Sequence, residues 1–173
     1  MALGGGRARG RSPVTTHTMR FLLLVALGAC QCPPPGSLTG GHFVAAGELR
    51  DAVYRGDAGA LATAAQAMDG GRAAEHGDAA AGERLHGALG FLQVSEDTVE
   101  RGEGLAAVAR ACGDCHRQAG VRVPVRAAAE AGCPQAAAAE ALWWKLLAGE
   151  GSERDEAALA AGAAECAGCH PGG

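Results

Sequence analysis

A chain of 173 residues is long enough for one domain or two small ones, and its net charge of −4 gives no reason to expect a nucleic-acid partner. With 28 glycines, more alanine still and only 3% aromatic residues, it has too few large apolar side chains to build a dense core unaided. No apolar run reaches the eighteen or so residues of a membrane-spanning helix.

Residues 1–29 read as an export signal rather than as fold. Arg7, Arg9, Arg11 and Arg20 supply a positive segment, residues 21–27 a short apolar one, and Met19 offers an alternative start. Leu27-Gly28-Ala29-Cys30 then resembles the lipobox of bacterial lipoproteins, whose cysteine is acylated. That resemblance implies a lipid on Cys30 and a periplasmic protein anchored to the membrane. An ordinary secretory signal cut after Ala29 leaves a soluble periplasmic chain instead. Residues 30–41, with Pro33-Pro34-Pro35-Gly36-Ser37, read as a stiff, extended tether.

Beyond the tether every element reads as helix. Residues 42–54 are apolar at helical spacing, with His42, Leu49 and Val53 on one face. Asp57 reads as the N-cap of a second helix over 58–68, stopped by Asp69-Gly70-Gly71. A third helix, 79–94, carries Leu85, Leu89 and Leu92, and its Gly87 and Gly90 either weaken it or let something flat approach. Asp97-Thr98-Val99-Glu100 resembles a capping box and opens a fourth helix, on which Leu105, Val108, Cys112 and Cys115 form one stripe. The unit ends over 120–124. A fifth helix over 136–149 contains Leu142, Trp143, Leu146 and Leu147, with Trp143 and Trp144 on different faces. Ser152, with Asp155 three residues on, caps a last helix where Leu159, Gly162, Cys166 and Cys169 repeat the earlier stripe. Residues 49–57 can be laid over 142–150, which hints at a duplication whose second copy is cut short. With no alternating strand pattern, the fold class is all-α: a four-helix unit over 42–120, then a shorter helical part over 121–173.

Two pentapeptides carry the chemistry. Cys112-Gly113-Asp114-Cys115-His116 recurs as Cys166-Ala167-Gly168-Cys169-His170, and both are C-x-x-C-H, the attachment signature of c-type haem. Two thiols one helical turn apart form thioethers to the haem vinyl groups, and the adjacent imidazole reaches the iron as proximal ligand. The expectation is two covalently attached haem c (heme c) groups, on Cys112, Cys115, Cys166 and Cys169, with His116 and His170 on iron. Two macrocycles would also supply the flat apolar surface that the composition lacks.

A C-x-x-C-H on the last of about four helices resembles the cytochrome c′ family and its relatives, across roughly residues 42–120. The terminal motif and the segment around Leu142-Trp143 look like exported dihaem cytochromes with two such halves. Mitochondrial-type cytochromes differ, because they place a methionine ligand downstream of the motif, and here no methionine follows Cys112. Distal candidates are therefore His42, Met68, His76 and His86, with His42 favoured by its place on an apolar face. At the position matching His42 in the second half stands Gln135, so that site has an open or solvent-filled sixth position as one reading. Cys133, the odd thiol, reads as a buried small residue or a partner of Cys32.

The function expected is one-electron transfer between redox partner proteins, without enzymatic catalysis, since no nucleophile–base arrangement is legible. The resemblance to c′ proteins also implies an alternative, diatomic gas binding at a five-coordinate iron. A third reading is a structural zinc module on Cys112, Cys115, Cys166 and Cys169.

Overall fold

The structure, a computed structural model, describes residues 38–70, 79–123 and 134–169. The export signal, Cys30, Cys32, His76, Cys133 and His170 lie outside the described residues. Among those described are six α-helices and no strand: α1 (Leu38–Arg55), α2 (Ala58–Gly70), α3 (Ala79–Val94), α4 (Thr98–Gln118), α5 (Pro134–Leu147) and α6 (Glu153–Cys169). The fold is an all-α bundle. The last residues assigned to the tether, 38–41, instead form the first turn of α1. No described helix is long and apolar enough to cross a membrane.

Side-chain oxygens open three helices where the sequence places them. Asp57 accepts from the Ala60 N–H at 2.9 Å and Asp97 from the Glu100 N–H at 2.8 Å. Ser152 and Asp155 cap reciprocally: the Asp155 N–H donates to the Ser152 hydroxyl at 3.3 Å, and the Ser152 N–H donates to the Asp155 carboxylate at 2.7 Å. Glycine closes α1 and α5 in the same way. Gly56 and Gly149 both adopt positive φ, 68° and 73°. In each case the glycine N–H returns to the carbonyl three residues back, Val53 or Leu146. The next N–H, of Asp57 or Glu150, reaches five residues back, to Ala52 or Lys145. These matching ends fall at equivalent places in the 49–57 over 142–150 alignment.

Helix α4 lies at the centre, touching α1, α3, α5 and α6, and its contact with α6 is the most extensive in the bundle. The helices before and after residue 121 thus pack as one body. Directions follow from residue pairs. Gly102 of α4 meets Ala160 of α6, while Arg110 further along α4 donates to the carbonyl of Gly151, just before α6 begins. So α4 and α6 run antiparallel. In α1 and α5, Arg50 pairs with Glu140 at 3.3 Å, while Phe43 and Leu147 both reach His116. Those two helices are antiparallel as well.

The core is built from leucines and valines with alanines between them, around the fully buried Trp143. Trp144, on another face, is half-buried. Small residues let the helix axes close up: a Cβ on Gly102 would overlap the Ala160 carbonyl, and one on Gly104 would come within 2.7 Å of the Leu92 side chain. The core thus draws on alanines as much as on its leucines and valines. Gly87 and Gly90, by contrast, face open space.

The α5–α6 corner is tied by charge. The Ser152 hydroxyl donates to Asp155 at 2.6 Å and the Lys145 ammonium at 2.9 Å, and with the Ser152 N–H they hold that carboxyl well below the usual carboxylate range. A depressed folded-state pKa gives stability that is present above the unfolded value and lost as pH falls toward the folded one. Asp155→Asn is expected to lower the melting temperature at pH 7, with the gap to wild type narrowing below about pH 4. Thermal melts followed by circular dichroism at pH 7 and pH 3 read this directly.

Candidate functional site

The first C-x-x-C-H occupies the last turns of α4, where the stripe predicted from sequence turns inward. Leu105, Val108 and Cys112 are buried, and Cys115 is half-buried. Burial pushes the Cys112 thiol up to about 12, with the neighbouring Cys115 adding to the shift. Cys112 is therefore a neutral thiol at physiological pH, poorly suited to thiolate chemistry in the folded chain.

His116 is held from two sides. Its Nδ1 lies 2.8 Å from the carbonyl of Leu147, the last residue of α5. A carbonyl only accepts, so Nδ1 carries the proton and the lone pair of the neutral ring sits on Nε2. On the ring's face stacks Phe43 of α1, with centroids 5.6 Å apart and planes inclined by 25°. A metal bound through Nε2 lies in the plane of the imidazole, whereas Phe43 stacks on its face. The arrangement can present one oriented imidazole nitrogen beside two thiols.

The same end of α5 receives two further donors from α4. Arg117 donates to the Gly149 carbonyl at 3.1 Å and is braced by Asp114 at 2.6 Å, and Arg110 donates to the Gly151 carbonyl at 2.8 Å. The last carbonyl of α5 is thus taken up by an imidazole, and two carbonyls in the turn after it by cations, all from the motif-bearing helix. Close approach is possible because a Cβ on Gly113 would overlap the Leu146 carbonyl.

The second motif ends α6, with Cys166 buried and Cys169 exposed. Cys166 lies within electrostatic reach of Tyr54, at the end of α1. The Tyr54 hydroxyl is buried without a hydrogen-bond partner, and burial raises its pKa. In the alignment of the two halves Tyr54 matches Leu147.

Because α4 and α6 are antiparallel, the two motifs lie at opposite ends. Cys112 is level with the residues just before α6, and Cys166 is some thirteen residues into that helix, roughly 20–25 Å along the axis at 1.5 Å per residue. The zinc reading fails on this geometry, since its four thiols cannot share one ion. Among the described residues no group of three or more His, Cys, Asp or Glu side chains gathers to hold a metal.

The distal candidates separate clearly. His42 is half-buried and lies one residue before Phe43, on the end of α1 nearest the first motif. Met68 is a core residue, 1% exposed. His86 is exposed and bonded to Asp69 at 2.8 Å, which raises its pKa, on the α2–α3 side. Sequence reading did not single out Phe43, Tyr54, Arg110, Arg117 or the Leu147 carbonyl. The alignment of the two halves was the available signal for Tyr54 and Leu147. The chain matches no family model, no curated protein and no solved structure.

The glycine contact at the motif gives a direct test. Gly113→Ala is expected to cost about 1–3 kcal/mol by overpacking against backbone, whereas Gly90→Ala, facing open space on α3, should stabilise by about 0.5–1 kcal/mol. Chemical denaturation of both variants measures the opposite signs.

Proposed function

We propose that this chain is an exported, lipid-anchored dihaem c-type cytochrome acting in one-electron transfer. The observation that carries the reading is the His116 Nδ1 bond to the Leu147 carbonyl. A metal-ligating histidine characteristically gives its second ring N–H to a carbonyl or carboxylate, which fixes the tautomer and points the other nitrogen at the metal. Here that support is in place within a C-x-x-C-H.

In this reading Cys112 and Cys115 tether the first haem c and Cys166 and Cys169 the second. His116 and His170 are the proximal ligands, and His42 is the distal candidate at the first site. Haem c supplies an Fe(III)/Fe(II) couple, whose potential depends on axial ligation and surrounding polarity. The residues around the first site do the rest: Leu147 and Phe43 orient the imidazole, and Arg110, Asp114 and Arg117 set the local charge. Export on a Cys30 lipid places the site in the periplasm beside redox partner proteins. The gas-binding alternative applies best at the second site, where Gln135 and Ala136 stand opposite His42 and Phe43 in the alignment.

The test is to express the chain with haem-attachment machinery and record a pyridine haemochrome spectrum and an intact mass on one sample. Two covalent haems are expected, and a product without haem overturns the proposal. His42→Ala is expected to convert the first site from low-spin to high-spin in optical and electron paramagnetic resonance spectra. An unchanged spectrum removes His42 as the ligand.

A further inference from the structure

We propose that the outward face of α3 binds a second copy of this chain, giving a weak two-fold dimer. The inference stands apart from the cytochrome reading. Helix α3 lies at the edge of the bundle, packed on α4 and, less extensively, on α2. Its inward side carries Ala81, Leu85, Ala88, Leu89 and Leu92, all buried. At about 100° per residue the opposite side is centred on Gly87, Gly90 and Val94, with Phe91 and Arg84 along one flank. This outward side is markedly apolar. Val94 is 75% exposed and Phe91 40%. Among the described residues, three of the five large apolar side chains left exposed fall between positions 91 and 99.

The occupant follows from shape and charge. Inside the bundle, glycine makes room where helices meet: Gly102 against the Ala160 carbonyl, Gly113 against that of Leu146. Gly87 and Gly90 leave the same room on α3, and nothing lies within 4 Å of either missing Cβ. Both weaken their helix, and within one chain the room they leave holds nothing. An antiparallel α3 from a second copy, crossing between Gly90 and Phe91, fills it. Val94 then seats over the second copy's Gly87, and Phe91 over the second copy's Gly90. In the same register Arg84 faces the second copy's Glu96 and Asp97, and all three residues are exposed in the single chain. Two-fold symmetry repeats each contact, so two charge pairs flank the apolar centre. The 16 residues of α3 span only about 24 Å. One face of that length buries well under the roughly 800 Å² per partner of a standard interface. The dimer is therefore weak, with a Kd on the order of 10 μM to 1 mM.

Sedimentation velocity on the full chain, from about 1 μM to 1 mM, reads the equilibrium directly. Reductant is kept present so that cysteines do not cross-link the copies. A monomer–dimer equilibrium that shifts with concentration is expected. Arg84→Glu and Glu96→Arg, each alone, should weaken it about tenfold or more by setting like charges opposite each other, and the double variant should restore it. Gly87→Gln should abolish the dimer by filling the space that Val94 needs. Its melting temperature at the lowest concentration should stay level or rise, because glutamine favours helix over glycine. A chain that remains monomeric up to the highest concentration overturns the inference. Association that neither Gly87→Gln nor Arg84→Glu weakens comes from another surface and overturns it too. Single charge variants that the double variant does not rescue overturn the antiparallel pairing. A product without haem overturns the cytochrome reading and leaves this inference standing.

Discussion

The bundle depends on how α4 seizes the end of α5. The end of α5 and the turn after it present the carbonyls of Leu147, Gly149 and Gly151 to α4. His116, Arg117 and Arg110 donate to these three, while Gly113 gives up its side chain so that the backbones can meet. One junction thus closes the body, satisfies the end of α5 and fixes the rotation of an imidazole. Structural and functional demands fall on the same turn of α4. Any change that moves α4 away from α5 also frees the histidine.

Small residues set the architecture elsewhere. Where Gly102 meets the Ala160 carbonyl, and Gly162 lies 3.2 Å from the Ala139 side chain by its missing Cβ, helices approach closer than leucine-lined surfaces allow. Alanine and glycine, which at first sight starve the core, lower the volume needed to fill it. Only Ser95 is buried and polar among the described residues, and its hydroxyl is satisfied by the Phe91 carbonyl at 2.8 Å.

Much of this was legible before any coordinates. Helix starts followed from Asp57, Asp97 and Ser152, because caps are local chemistry with short-range signatures. The glycine ends were less legible: the fifth helix was read through Gly149 but ends at Leu147, and the second was read to Met68 but runs to Gly70. The buried stripe of α4 followed from its spacing. Partners across the bundle were not legible. The carbonyl on His116 belongs to a helix some thirty residues away, and nothing in the composition of either segment announces that meeting. Phe43 was hidden beside His42, since one residue along a helix turns a side chain by about 100° toward another neighbour. The antiparallel setting of the two C-x-x-C helices, which separates the thiols and removes the zinc reading, is a tertiary fact with no local trace.

Asp57 joins α1 to α2 through both its backbone and its side chain. Its N–H closes α1 on Ala52, its carbonyl accepts the Leu61 N–H inside α2, and its carboxylate caps Ala60. Every polar group of one residue is spoken for by two helices at once, so this corner has a fixed length. An insertion there would have to break both helices. The corner between α5 and α6 spreads the same duties over Gly149, Glu150, Gly151 and Ser152, and because the Gly149 and Gly151 carbonyls also accept from Arg117 and Arg110, an insertion there would loosen α4 as well.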